Sequence, residues 1–281
     1  MINKDSKFLI VGLGLIGGSY AIKLKSLGYK VYAIDINKDA INYALDNNYI
    51  DATNIKEKEL INSVDYIVLC LYPLDNIKWI KENKKYLNKK TIITDVSGVK
   101  TNYVDIIQNE LIDNEFISMH PMAGKEKSGV YHSDPFIFLE ANMLIIKEDK
   151  NSEQGVNFAI SLAKLLEFKN IEIITSKEHD AVVSFLSQLP HAIAVALMNS
   201  HNNNSLHRFS GDSFKDLTRI AKINENLWSE LFLLNKDILV KDIDSFIETL
   251  NEIKNKIKEE DVDSLKEMFK ESTKRRKEFE K

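Results

Sequence analysis

His120 stands in the run Met119-His120-Pro121-Met122-Ala123-Gly124-Lys125-Glu126-Lys127-Ser128-Gly129. The apolar stretch just before it, Phe116-Ile117-Ser118-Met119, reads as a strand, so the imidazole is expected at a strand's carboxyl end, where α/β sheets bind their ligands. An imidazole titrates near neutral pH and suits general-base work on an alcohol during hydride transfer. A hydride acceptor is announced upstream. Gly12-Leu13-Gly14-Leu15-Ile16-Gly17 follows the apolar residues 8–11 and opens a helical pattern. In that context the turn binds a dinucleotide. Gly12 permits the tight turn, Gly14 lets the backbone approach a pyrophosphate, and Gly17 lets the helix pack closely on the strand. The helix N-terminus adds unpaired N–H groups and a partial positive charge for the phosphates. Asp35 ends the second strand, where a carboxylate accepts hydrogen bonds from ribose hydroxyls. It would repel a 2′-phosphate, and Ile36-Asn37-Lys38 bring no arginine, so NAD is expected rather than NADP, with Lys38 the one nearby cation.

Two more strand ends should face the same crevice: Leu71-Tyr72-Pro73-Leu74 and Asp95-Val96-Ser97-Gly98-Val99-Lys100. Leu71, Tyr72, Pro73 and Ser97 therefore join residues 12–17 and Asp35 as expected cofactor contacts.

These positions need a frame. Apolar runs at 8–11, 31–34, 66–71, 91–94 and 116–119 alternate with helical patterns, which predicts a parallel sheet with helices on both faces. Residues 142–147 and 171–174 extend or edge it, with a helix over 153–168 between them. From Thr175 onward nearly everything reads as helix: 177–201, 214–221, 226–257 with room for a break, and 262–279. The first of these is apolar on more than one side, through Val182, Val183, Phe185, Leu186, Leu189, Ile193, Ala194 and Leu197. That pattern predicts a buried helix, ended by Asn202-Asn203-Asn204-Ser205. The fold class is an N-terminal α/β Rossmann domain, doubly wound and mostly parallel, over 1–174, followed by an all-α domain over 175–281. So much apolar helical surface is expected to form a homodimer.

Composition narrows the partners. With 38 basic and 42 acidic residues the net charge is -4, which argues against nucleic acid or an anionic membrane surface. The single Cys70 allows no internal disulfide, and its place in an apolar strand points to packing rather than redox chemistry. No secretory signal and no apolar run near the roughly 20 residues of a membrane span are read, so a cytoplasmic location is expected. No metal is expected.

The distinguishing pieces occur in a fixed order. They are Gly12-x-Gly14-x-x-Gly17, Asp95-Val96-Ser97-Gly98-Val99-Lys100, His120-Pro121-Met122-Ala123-Gly124-x-Glu126-x-Ser128-Gly129, Leu189-Pro190-His191 and Lys215-Asp216-x-Thr218-Arg219-Ile220-Ala221. Together they resemble the prephenate dehydrogenase family of tyrosine biosynthesis, from about residue 7 to about residue 234. The resemblance implies NAD-dependent oxidative decarboxylation of prephenate to 4-hydroxyphenylpyruvate. His120 matches the family's catalytic histidine and Arg219 its substrate-binding arginine, whose guanidinium can grip a carboxylate in a two-point fork. His191 matches a histidine near the substrate side chain. Glu126 and Asp180 match acidic positions that pair with basic groups at the pocket entrance. Lys215 and Gln188 fall in substrate-side motifs, and Trp228 matches a position near the active site, in some cases supplied by the partner subunit.

Three departures touch the substrate side. Many members read Gly-Ser where this chain reads Ser97-Gly98, which displaces the serine that hydrogen-bonds the catalytic histidine. Many have His at Gln188, and Ser210-Gly211-Asp212-Ser213-Phe214 holds one glycine. Arogenate is thus an alternative substrate. More remote are a β-hydroxyacid or imine reductase type enzyme and a non-catalytic NAD sensor. The chain length leaves no room for a fused chorismate mutase or a C-terminal regulatory module.

Overall fold

The computed structural model describes residues 2–202 and 205–280. Asn203 and Asn204, in the expected break after the first long helix, lie outside them.

The N-terminal half runs β1 (Lys7–Val11), α1 (Leu15–Ser26), β2 (Lys30–Ile34), α2 (Lys38–Asp46), α3 (Glu57–Ser63), β3 (Tyr66–Leu69), α4 (Pro73–Asn83), β4 (Ile92–Asp95), α5 (Tyr103–Glu110), β5 (Phe116–Pro121), β6 (Asn142–Ile146), α6 (Glu153–Leu165) and β7 (Asn170–Ile174). The seven strands form one sheet in the order β2-β1-β3-β4-β5-β6-β7. The first five are parallel. β6 runs antiparallel to β5, and β7 runs parallel to β6. Residues 142–146 and 170–174 thus extend the sheet as expected, with reversed direction.

The strands are near-continuous apolar runs because helices cover both faces. Alternation divides them between two cores. Phe8 and Ile10 face Tyr20, Leu24, Phe138 and Phe158, whereas Leu9 and Val11 face Ile61, Ile80, Val104 and Ile107. Strand register then aligns the carboxyl ends. Ile34, Val11, Leu69, Asp95 and Ser118 lie in one row across the sheet, and the functional loops leave from that row.

Beyond β7 come α7 (Ser176–Val183), a π-helical segment at Ser184–Gln188, α8 (Leu189–Asn199), α9 (Asp212–Thr218), a 3-10 turn at Arg219–Ala221, α10 (Glu225–Leu234), α11 (Lys236–Lys258) and α12 (Val262–Lys277). The break allowed within 226–257 falls at Asn235.

The expectation of a buried first helix is corrected. Val182, Phe185 and Leu186 are 41%, 60% and 49% exposed, because no element among the described residues covers that side. The segment Ser176–Asn199 is also long and apolar enough to cross a membrane by length and composition, contrary to the sequence-based reading, with 28% of its apolar window buried. Val183, Leu189 and Ala194 are its buried contacts.

Candidate active site

The glycine turn is built as its sequence requires. Gly12 has φ +99°, a left-handed conformation that favours glycine. A Cβ on Gly17 would collide with the Gly12 carbonyl oxygen and press on Cys70 at 3.1 Å, so this helix can meet this strand only at glycine. A Cβ on Gly14 would meet nothing within 4 Å. Gly14 is also the N-cap of α1, with no side-chain cap and no acidic residue in the first turn. The free space and the uncapped N–H groups together fit a pyrophosphate. Asp35 closes the turn from the end of β2. Its carboxylate accepts the Leu13 N–H at 2.6 Å and the Asn37 N–H at 2.7 Å. Cys70 lies half-buried just past β3, and burial, with Asp95 adding to it, pushes its thiol upward, as suits a packing role.

At the next strand ends Tyr72 is the N-cap of α4, and Pro73 occupies that helix's first turn, where a missing N–H costs nothing. The Tyr72 hydroxyl hydrogen-bonds Asn224 at 3.1 Å, and the Leu74 N–H donates to Glu230 at 2.8 Å, tying this edge to α10. Ser97 is buried. Its N–H donates to Asp95 at 2.9 Å and its hydroxyl accepts from Asn76 at 3.1 Å. Beneath it lies a fully buried ion pair, Lys100–Asp95 at 3.0 Å, with Lys100 also donating to the Met119 carbonyl at 2.8 Å. Burial pulls the Lys100 ammonium down and Asp95 only partly opposes it.

His120 is the penultimate residue of β5, one residue beyond that carbonyl. Its Nδ1 lies 2.8 Å from His179 Nε2, and His179 Nδ1 lies 2.7 Å from Asp180 Oδ1. Asp180 also accepts the N–H groups of Lys100 at 2.9 Å and Thr101 at 2.7 Å. Burial by itself would raise Asp180, but the His179 ring and Thr101 outweigh it and hold the carboxyl low. Burial, reinforced by His179 and Lys100, holds His120 well below the usual imidazole range.

On the helical side His191 Nδ1 meets the Ser187 carbonyl at 2.8 Å, and its ring stacks on Trp228 of the same chain with centroids 3.7 Å apart. Burial lowers its pKa against the pull of that carbonyl. Arg219, on the 3-10 turn after α9, pairs with Glu126 on the loop after β5.

Four expected site residues sit elsewhere than the sequence suggested. Asp180 is 1% exposed and faces inward under the Lys100–Thr101 backbone, so it is not at a pocket entrance. Gln188 is buried, donating to the Leu231 carbonyl at 3.2 Å and accepting from Asn235 at 2.8 Å; its amide is committed to helix packing. Lys215 is 63% exposed and, among the described residues, its ammonium pairs with Asp212, at 3.8 Å, one helical turn away. The Ser97 hydroxyl turns to Asn76, and His120 finds its hydrogen bond at His179.

Residues 20–172 match the family described as prephenate dehydrogenase, nucleotide-binding domain, and residues 175–271 match prephenate dehydrogenase, dimerization domain. The chain is 30% identical to a prephenate dehydrogenase of Bacillus subtilis over 95% of this chain and 74% of that one. The chain belongs to the prephenate dehydrogenase family. It is also 27% identical to a cyclohexadienyl dehydrogenase of Zymomonas mobilis, over 95% of this chain and 94% of that one. Among solved structures, an A. aeolicus prephenate dehydrogenase in complex with hydroxyphenyl propionate and NAD+ superposes with TM-score 0.90 at 30% identity, covering 98% of each chain.

In this member of the prephenate dehydrogenase family Gly98 follows Ser97 and lies close to His120. A Cβ there would stand 3.4 Å from Leu231 Cδ2 and 3.8 Å from His120 Cε1, in ordinary van der Waals contact with both. Sequence reasoning missed His179. It precedes an aspartate in the polar helix start Ser176-Lys177-Glu178-His179-Asp180, which looks solvent-facing; the signal was Asp180 itself, already singled out one residue away.

Proposed function

We propose that the chain catalyses the NAD-dependent oxidative decarboxylation of prephenate to 4-hydroxyphenylpyruvate, acting as a homodimer in the cytoplasm. The observation that carries this is His120. It is a neutral, half-buried imidazole on the row of strand ends that also bears the glycine cradle and Asp35.

NAD, when bound, accepts the hydride that leaves the hydroxyl-bearing ring carbon. Gly12, Gly14 and the first turn of α1 hold its pyrophosphate, and Asp35 receives ribose hydroxyls on the oxygen lone pairs its two backbone bonds leave over. Leu71, Tyr72 and Pro73 wall the crevice at the next strand end. His120 takes the proton of the ring hydroxyl. Carbon dioxide departs from the opposite ring carbon, its bonding electrons complete the aromatic ring, and His120 returns the proton to the ring oxygen. Aromatisation supplies the driving force, so the protein chiefly positions the donor and handles one proton.

Arg219 and His191 receive the substrate's carboxylates. Prephenate is a dianion, and the guanidinium that Glu126 holds offers five N–H donors, more than one carboxylate uses. A grip on the carboxylate that leaves would stabilise the ground state and oppose its loss, so the side-chain carboxylate is the better partner. The exposed apolar side of α7 and α8 is the surface a second copy covers.

The test is NADH formation with prephenate and arogenate side by side, for the wild type and His120→Asn. Turnover of prephenate that His120→Asn loses, with NAD binding kept, is expected. Turnover of arogenate alone would replace the substrate, and undiminished turnover in His120→Asn would remove the base.

A further inference from the structure

We propose that His179 and Asp180 are positioning residues that fix the tautomer of His120, holding its proton on Nδ1 so that Nε2 presents a lone pair to the substrate. The inference rests on the reading of His120 as the base and adds which nitrogen does the work.

Proton counting along the chain of contacts gives the result. Asp180 receives the backbone N–H groups of Lys100 and Thr101, one on each oxygen, so its carboxylate is fixed in orientation and works as an acceptor. The 2.7 Å contact to His179 Nδ1 then requires the hydrogen to be on His179. Burial, which Asp180 only partly opposes, keeps the His179 ring neutral. A neutral imidazole with its hydrogen on Nδ1 has a lone pair on Nε2. The 2.8 Å contact from that atom to His120 Nδ1 needs one hydrogen between the two nitrogens, and His120 must supply it. His120 Nε2 is left as a bare acceptor, and no hydrogen bond among the described residues uses it.

The surroundings favour the same state. The charged groups facing the two rings are Asp180, Lys100 and Asp95. Lys100 and Asp95 neutralise each other at 3.0 Å, and Lys100 disfavours a second positive charge on either imidazole. Asp180 favours charge on His179, the ring farther from the substrate. The helix that carries His179 is held in place by a capping box, Thr175 with Glu178, and by the Asn235 amide on the Asp180 carbonyl at 3.0 Å. A free imidazole prefers its hydrogen on Nε2, so the relay selects the form that water does not.

Two measurements test this. In the first, nitrogen-15 NMR of the ring nitrogens in the substrate-free protein reads the tautomer without any turnover. The proton is expected on Nδ1 of His120 in the wild type, and a proton on Nε2 overturns the proposal whatever the substrate is. In the second, His179→Phe removes the acceptor, and His179→Gln restores one in its carbonyl oxygen. His179→Phe is expected to lower kcat about 10- to 100-fold, with the KM for NAD unchanged and the His120 resonance moved toward the Nε2–H form. His179→Gln is expected to recover most of the loss. Equal kcat in the two variants, both folded by circular dichroism and binding NAD, overturns the relay. Retained turnover in His120→Asn would overturn the base itself, so the two failures are distinguishable.

Discussion

Arg219, in the helical domain, is ion-paired with Glu126, on the loop that leaves β5 a few residues after His120. The cation proposed for the substrate thus bridges the two halves of the chain. Arg219→Gln is expected to raise the KM for prephenate about 10- to 100-fold, the equivalent of one or two charge-assisted hydrogen bonds. The KM for NAD should not change. Steady-state kinetics in both substrates checks it, and an equal rise in both KM values would count against the assignment.

The second and third glycines of the turn should separate fold from ligand. Gly17→Ala puts a methyl group against the Gly12 carbonyl and is expected to cost about 1–3 kcal/mol of stability. Gly14→Ala meets nothing in the protein, so its melting temperature should match the wild type while its Kd for NAD rises about tenfold or more. Thermal melts beside NAD titrations decide it. A Gly14→Ala protein that binds NAD normally would place the pyrophosphate elsewhere.

Activity should survive into mild acid. His120 must be neutral to take a proton, and its pKa is held well below 6.5, so the acid limb of kcat/KM should fall below that value. An acid limb at or above 6.5 would contradict the burial of the ring.

Stability should follow the same groups. His120, His179 and His191 all have lowered pKa values when folded, so between the folded and unfolded values the unfolded chain binds more protons. Their contribution is fully present above the unfolded pKa and is lost as pH falls from there through the folded pKa. Melting temperature should therefore decline as pH drops through about 6. A flat profile between about pH 7.5 and 5 would show the rings to be solvated.

Phe185 tests the uncovered helix face, since it is 60% exposed between Val182 and Leu186, which are exposed too. Phe185→Glu is expected to convert a dimer to a monomer in sedimentation or light scattering. An unchanged mass would put the interface elsewhere.

Much of this molecule was legible in its sequence, and the reasons differ by region. The sheet was readable because its central strands are buried on both faces and so appear as largely apolar runs, and Gly12, Gly14, Gly17 and Asp35 follow from the demands of one turn. His120 was readable because a strand led straight to it. Asp180, Gln188 and Ser97 are each polar and near the substrate motifs, yet each turns hydrogen bonds toward the protein. Sequence shows that a polar group is present and not which way it points. The long apolar helix misled in the opposite sense, since periodicity shows that a face is apolar and not what covers it.

The π-helical segment at Ser184–Gln188 sets the phase between two faces. Before it come His179 and Asp180, which serve His120; after it comes His191, stacked on Trp228. A turn of this kind holds one residue more than an α turn, and each residue of helix is worth about 100° of rotation. Deleting one residue there would leave α7 and α8 each intact but swing one about 100° around the other. The relay and the stacked histidine would then lose their present alignment. The extra residue works as a gear tooth, meshing the two halves of the site.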